Sequence, residues 1–410
     1  MSLEVAIVGA GVAGLGLALN LHRRGLRARV YEAVPELKPV GVGITLLPHA
    51  VRELAELGLL SELEAAGVEN AESRFFNRFG QLIFSEPRGR RAGYPYPEIG
   101  IHRGRLHAVL LRAVLEELGS GAVATGRRCT GVDTVHDKVE VRFETGEPAV
   151  ADVAVACDGI NSTVRRQFYP DDAVVFTGIN TWRGVTRWTP IFDGRTYLRI
   201  GSIRTGKLVV YPISKEPDAD GRQLINWMAE IEREGATRND WNRAGRLEDC
   251  LPIYRDWTFD WLDVPAMLSA ADQVLEYPMV DKEPVDRWSF GRITLAGDAA
   301  HPMYPRGSNG AAQGLIDARV LADLLASDRA PEAALAEYEA IRAPQTARVV
   351  RTNRATPPDA INLEVEARTG DRPFDDLEAV ISQAELQAIS DRYKQVAGFS
   401  LDSFRAAAGG

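Results

Sequence analysis

Residues 3–32 read LEVAIVGAGVAGLGLALNLHRRGLRARVYE. Leu3 to Val8 is a short apolar run with β-branched Val5, Ile7 and Val8, the pattern of a buried parallel strand. Gly9-Ala10-Gly11-Val12-Ala13-Gly14 follows. Beyond it, Leu15, Leu19 and His22 share one face of a helix that Gly25 closes, and Arg29 to Tyr31 forms a second strand ending at Glu32. A diphosphate must be met by backbone N–H groups at a helix N-terminus. Gly9 permits the tight turn, Gly11 lets the diphosphate approach, and Gly14 lets the helix pack close to the strand. Gly9, Gly11, Val12, Ala13 and Gly14 are therefore the predicted diphosphate cradle. Glu32, eighteen residues past Gly14, is placed to accept hydrogen bonds from both ribose hydroxyls and would repel a 2′-phosphate. The predicted nucleotide is FAD or NAD rather than NADP.

Outward from this unit, two more strands run into turns. Ala149 to Ala156 reads as an almost uninterrupted strand leading to Asp158-Gly159, and Ile293 to Ala296 as another leading to Gly297-Asp298. The loop Pro305 to Ala312 opens a helix over 311–326, and helical patterns cover 49–66 and 105–118. Between 175 and 275 the pattern changes to strand-like runs at 181–186, 197–203, 208–213 and 223–231. Six of the seven tryptophans fall between Trp182 and Trp261, which marks this region as a separate β-sheet unit. The tail from 356 carries helical patterns such as Glu385 to Val396.

Composition bounds the rest. At 410 residues, 45% hydrophobic and 26% charged, the chain suits a globular protein of two or three structural units. A net charge of −9 argues against a nucleic-acid partner. Cys129, Cys157 and Cys250 lie far apart, which fits a reducing compartment and neither a disulfide framework nor a zinc site. His102 and His107 lack HExxH spacing, so no metal is expected. No basic leader and no long uncharged apolar run occurs, so the protein reads as soluble and cytoplasmic, with no membrane partner. Arg88, Arg90 and Arg91 read as a solvated loop, His301 as a structural histidine, and Arg165 and Arg166 as partners of Asp158 or of the diphosphate.

Together, in this order, the motifs at 9–14, 158–165, 297–302 and 305–312 resemble those of the class A FAD-dependent aromatic monooxygenases, the p-hydroxybenzoate hydroxylase-like flavoproteins. The resemblance covers roughly residues 3–350. The runs SEPRG (85–89), IHRG (101–104), WRGVT (182–186), DWNRAGRLED (240–249), YPMVD (277–281) and GDAAHPMYPRGSNGA (297–311) are similar to the phenazine branch. The implied fold class is α/β, with a Rossmann-like FAD-binding domain, an inserted antiparallel β-sheet substrate domain and C-terminal helices. The FAD-binding domain would comprise 1–74, 100–174 and 276–355, the substrate domain 75–99 and 175–275, and the helical tail 356–410.

The resemblance also implies roles. Asp298 would hold a ribityl hydroxyl, and Gly307, Gly310 and Ala311 would aim amides and a helix end at the flavin N1–C2=O edge, where the reduced flavin is anionic. Arg103 would contact the diphosphate or ribityl chain, Cys129 would lie near the adenine, Val42 and Gly43 would line the isoalloxazine, and Asp158 would serve the diphosphate. NADH or NADPH would reduce the flavin, O2 would add to give a C4a-hydroperoxide, and an aromatic or heteroaromatic small molecule, phenazine-like or phenolic, would be hydroxylated. Trp182, Tyr211, Trp227, Met303 and Tyr304 are the expected substrate walls, and Tyr211 and Arg199 the candidates for catalysis. The alternatives are a Baeyer–Villiger or drug-inactivating oxygenase on the same fold, and a non-catalytic binding protein. The chain would act as a monomer or homodimer.

Overall fold

The glycine-rich unit forms at the centre of a six-stranded sheet. The computed structural model describes residues 3–39, 41–232, 243–355 and 360–408. Strand Glu4–Val8 lies between Arg27–Tyr31 and Val153–Ala156, parallel to both, and Val123–Ala124 and Ile293–Leu295 extend the sheet in parallel on either side. Ser289–Phe290 closes one edge antiparallel. Helix Val12–Arg23 runs from Gly11 over this sheet and packs against helix Gly310–Leu325. Gly14 and Gly16 bring it close: a Cβ on Gly14 would lie 2.0 Å from the Gly9 carbonyl oxygen, and one on Gly16 2.8 Å from Leu315 Cδ2.

Two of the expected elements are broken. The run 149–156 divides at Asp152 into Ala149–Ala151 and Val153–Ala156, which join different sheets. The Asp152 amide donates to the Glu4 carbonyl at 2.9 Å, and its carboxylate takes the Glu4 amide at 2.8 Å and the Lys138 ammonium at 2.5 Å, so a side chain takes over half of the pairing there. The helical pattern of 49–66 splits into Pro48–Glu56 and Leu60–Ala66 around Gly58, which has a left-handed φ of 69°.

The second layer is an eight-stranded sheet built mainly from Val175–Trp188, Thr196–Ser202, Gly206–Pro212, Gln223–Glu232 and Ala271–Asp281. It is antiparallel except at one seam, where Thr196–Ser202 pairs in parallel with Glu72–Phe76. The sheet takes in Glu72–Phe76 and Ala271–Asp281 whole, so the expected boundaries after residues 74 and 275 fall inside strands. Residues 240–242 of the DWNRAGRLED run lie outside the described residues.

Side chains alternate across this sheet. Trp182 and Trp227 share one face with Leu208, Val210 and Ile225, covered by residues 247–268. Thr181, Arg183, Asn226, Met228, Tyr197 and Tyr211 lie on the other face, toward the first layer. The tail helices Ala360–Thr369 and Gln383–Val396 pack Ile361, Val365 and Leu386 on Phe75 and Phe84 at the sheet's end. Among the described residues no helix is long and apolar enough to cross a membrane, and no group of three or more His, Cys, Asp or Glu is arranged to hold a metal.

Candidate active site

The turn before helix Val12–Arg23 is held by its Ala10 peptide. Glu32 Oε2 accepts the Ala10 amide at 2.8 Å, and His107 Nε2 donates to the Ala10 carbonyl at 2.7 Å. Gly9 sits at φ 105° with its α-carbon against the 157–158 backbone, and a Cβ there would meet the Cys157 oxygen at 2.4 Å. Gly11 differs: a Cβ on it would touch nothing within 4 Å. It caps a helix with no side-chain acceptor, so the first helical amides point toward open space. That is a cradle in which a diphosphate fits. Glu32 also accepts the Val34 amide at 3.0 Å, which leaves lone pairs on both oxygens for further donors.

Asp158 ends strand Val153–Ala156 one residue beyond Cys157. Its Oδ2 accepts the Thr163 amide at 2.8 Å, while Oδ1 is buried with no partner among the described residues. Burial raises its carboxyl pKa. An orphaned acceptor at the mouth of the nucleotide unit fits a ligand that brings a donor. Arg165, expected beside Asp158, turns away. It is fully buried, forks onto Asp172 at 2.7 and 3.1 Å, and donates to the Ala299 and Ala300 carbonyls at 3.1 and 2.7 Å. It thereby fixes the turn that carries Asp298.

Asp298 is exposed, yet the surrounding protein desolvates its carboxyl enough to raise its pKa, with His301 and Arg103 pulling the other way. That combination describes a group lining a deep cleft. Arg103 starts helix Arg103–Leu118, donates its amide to the Val42 carbonyl at 2.9 Å and lays its side chain over Gly41. Val42 is buried, and the Gly43 amide is taken by Asn226 Oδ1 at 2.7 Å, which ties this turn to the large sheet. Cys129 is buried, its thiol pushed up to about 11 by burial.

Helix Gly310–Leu325 begins beside Asp298: a Cβ on Gly310 would lie 3.8 Å from Asp298 Oδ1 and 4.0 Å from Met303 Cγ. Asn309 does not cap it, so the amides at Gly310 and Ala311 have no side-chain acceptor. Behind the turn, His301 Nε2 meets Asp317 Oδ2 at 2.5 Å, and Asp317 Oδ1 accepts Arg342 Nε at 2.7 Å. His301 is thus a structural residue. Gly307 is buried, Met303 half-buried, and Tyr304 packs on Ile179 and Met279 with its hydroxyl bonded to Asp281.

The large sheet brings together only part of the expected substrate wall. Trp182 and Trp227 face away from the cleft into the core under residues 247–268; the Trp227 indole donates to Thr186 Oγ1 at 2.9 Å. Tyr211 is on the cleft side, stacked on Tyr197 with ring centres 5.0 Å apart. Burial raises its phenol pKa far above neutrality. Arg199 donates to Ser73 Oγ at 2.6 Å and stacks on Tyr197 and Phe75, which leaves it no role as a base. Arg88 is buried between Glu86 and Glu98 and is not a solvated residue.

Sequence reasoning missed Arg183. It shares the cleft-side face with Tyr211, and its guanidinium lies 5.2 Å from the Tyr277 ring. Its buried Nε has no partner, and burial lowers its pKa. Among the described residues no hydrogen bond or ion pair to its side chain occurs. His107 and Asn226 were missed for the same reason: each acts on a residue far away in sequence.

The family model for the FAD binding domain matches residues 2–353. The chain is 41% identical over 364 residues to a phenazine 1,6-dicarboxylic acid hydroxylase from Lysobacter antibioticus, covering 86% of this chain and 89% of that one. It is 34% identical over 361 residues to a 3-amino-4-hydroxybenzoate 2-monooxygenase from Streptomyces platensis, covering 86% and 87%. Among solved structures, HpxO of Klebsiella pneumoniae complexed with FAD and uric acid superposes with a TM-score of 0.76 at 23% identity over 97% of this chain and 95% of that one. A salicylate hydroxylase substrate complex gives 0.74 at 22% identity, covering 99% and 98%. The α/β architecture is therefore that of the flavin hydroxylases, and the chain belongs to the FAD binding domain family as a flavoprotein monooxygenase of the aromatic-hydroxylase type.

Proposed function

We propose that the protein uses NADH or NADPH and O2 to hydroxylate an aromatic or heteroaromatic compound carrying a carboxylate. The observation that carries the carboxylate is Arg183, whose guanidinium on the sheet face toward the cleft makes no hydrogen bond or ion pair among the described residues, the Lys207-paired Glu230 acting on it only from a distance. Holding an unpaired cation in such a place costs folding free energy, and an anionic substrate offsets that cost. The relatives named above act on aromatic acids, which supports the same reading.

In this proposal Gly11, Val12, Ala13 and Gly14 present amides to the diphosphate, with Gly9 shaping the turn. Glu32 binds the ribose hydroxyls, and the Cys129 backbone lies beside the adenine. Arg103 binds along the diphosphate and ribityl chain, Asp158 Oδ1 accepts from a hydroxyl next to the diphosphate, and Asp298 holds a ribityl hydroxyl. Val42, Gly43, Gly307, Gly310 and Ala311 line the flavin. Bound FAD supplies the redox chemistry, taking hydride from the nicotinamide and activating O2. The chain's residues orient the ring between Met303 on one side and Tyr211 on the other, and keep water from it.

The test is purification with FAD, followed by nicotinamide oxidation, oxygen uptake and H2O2 assays on a panel of phenazine, phenol and pyridine carboxylic acids and their amides. A true substrate accelerates nicotinamide oxidation and keeps peroxide low. If amides and acids serve equally, the carboxylate reading fails; if no aromatic compound accelerates oxidation, the hydroxylase reading fails.

A further inference from the structure

The family model ends at residue 353, yet a residue forty positions later touches the cofactor loop. Tyr393, on tail helix Gln383–Val396, is 5% exposed. Its hydroxyl lies directly beneath Gly307, where a Cβ would come within 1.4 Å of it. Gly307 therefore leaves room for a phenol oxygen under the turn.

The hydroxyl is the middle of a directed chain. His49 is neutral, its pKa lowered to about 4 by burial, and its Nε2 donates to Asn309 Oδ1 at 2.9 Å. Asn309 Nδ2 donates to the Tyr393 hydroxyl at 3.1 Å, which donates in turn to Asn353 Oδ1 at 3.1 Å. Asn353 Nδ2 donates to the Tyr304 carbonyl at 3.3 Å. Asn309, Asn353 and His49 are all buried. Both ends of the segment 304–309 are thus held through one phenol. Asn309 immediately precedes the helix whose amides face the cleft, and Ser308 takes a left-handed φ of 54° within the held turn.

We propose that Tyr393 is a positioning residue for the flavin-facing loop, which makes tail helix Gln383–Val396 a working part of the cofactor site. The inference rests on the reading that this loop and the N-terminus of helix Gly310–Leu325 bind FAD. Tyr393 acts through Asn309 and Asn353; it sets where the Gly310 and Ala311 amides stand. Buried hydrogen-bonded chains of this kind favour one geometry because a shift leaves further donors or acceptors unpaired.

The test titrates full-length apoprotein with FAD by fluorescence quenching and measures the midpoint potential of the bound flavin. Tyr393→Phe keeps the ring and removes the hydroxyl. Its FAD dissociation constant should rise about fivefold. The potential should move to more negative values, because a misaimed helix end stabilises the anionic reduced flavin less. In an Asn309→Ala background the same substitution should add less than about twofold. Fold-changes that multiply in the double variant overturn the inference. So does an unchanged affinity and potential beside a lowered melting temperature, the result a merely structural role would give. Asn353→Ala removes the bridge from the other side and is read the same way if the phenylalanine variant is not recovered folded. A wild-type protein that takes up no FAD overturns the cofactor reading and this inference together, whereas wild-type binding with an indifferent Tyr393→Phe overturns this inference alone.

Discussion

The Glu32 carboxylate reaches back 22 residues to accept the Ala10 amide at 2.8 Å, so the predicted ribose ligand also shapes the diphosphate turn. Glu32→Ala removes both functions at once. FAD affinity should fall about 10–100-fold, by the loss of charge-assisted hydrogen bonds of about 1.5–3 kcal/mol. Glu32→Gln, which keeps a carbonyl acceptor, should fall between the two. Titration of the apoproteins with FAD checks the order.

The glycines of the turn should separate folding from binding. Gly11→Ala meets nothing within 4 Å and has ordinary φ, so the melting temperature of the apoprotein should hold while FAD affinity drops. Gly14→Ala drives a Cβ to 2.0 Å from a backbone oxygen and should impair folding itself. Thermal melts beside FAD titrations distinguish the two; equal melting temperatures for both variants would contradict the packing.

Arg183→Met should raise KM for an aromatic acid about 10–100-fold, the value of a charge-assisted hydrogen bond, and change KM for the matching amide less than about twofold. Melting temperature should hold or rise, because an unpaired cation leaves a desolvated site. Steady-state kinetics on the acid–amide pair and a thermal melt read both effects.

Trp227→Phe should act on stability alone. The indole fills the core on the far face of the sheet and donates to Thr186 Oγ1, so its loss should cost about 1–3 kcal/mol through a cavity and an unpaired group. KM should stay within about twofold of wild type. Denaturant unfolding and kinetics on one substrate are sufficient.

Asp317 gives a pH signature. The nearby His301 and Arg342 charges, with hydrogen bonds from both, outweigh burial and hold its carboxyl well below the usual carboxylate range. Its folded pKa is thus below its unfolded one, near 4, so its stabilisation is fully present above that value and is lost as pH falls. Asp317→Asn should cost about 3–5 kcal/mol at neutral pH by leaving Arg342 unpaired in the interior. The gap from wild type should narrow below about pH 4. Urea unfolding across pH checks this.

The nucleotide unit was legible because its determinants are local: glycine spacing, strand, helix and acidic residue fall within residues 3–32. The sheet was legible as a region but not as a surface. Thr196–Ser202 and Gly206–Pro212 are buried along their whole length, so neither strand carries the alternation that tells a cleft face from a core face. Aromatic density therefore pointed to Trp182 and Trp227, although the cleft-side neighbours are Arg183, Tyr211 and Asn226. Arg165 and Arg88 were misread for a related reason: their partners Ala300 and Glu98 become visible only once the chain is folded. Asp152 left a faint trace, one charged residue in an apolar run, and its meaning depended on the Glu4 amide 148 residues away.

The parallel seam between Glu72–Phe76 and Thr196–Ser202 has a mechanical consequence. The backbone enters or leaves the eight-stranded sheet after Glu69, Pro87, Phe168 and Asp281, so this sheet is tied to the rest of the fold at several places along the chain. Such stitching resists opening like a clamshell. Turnover should then tolerate cross-links between the layers placed away from the cleft.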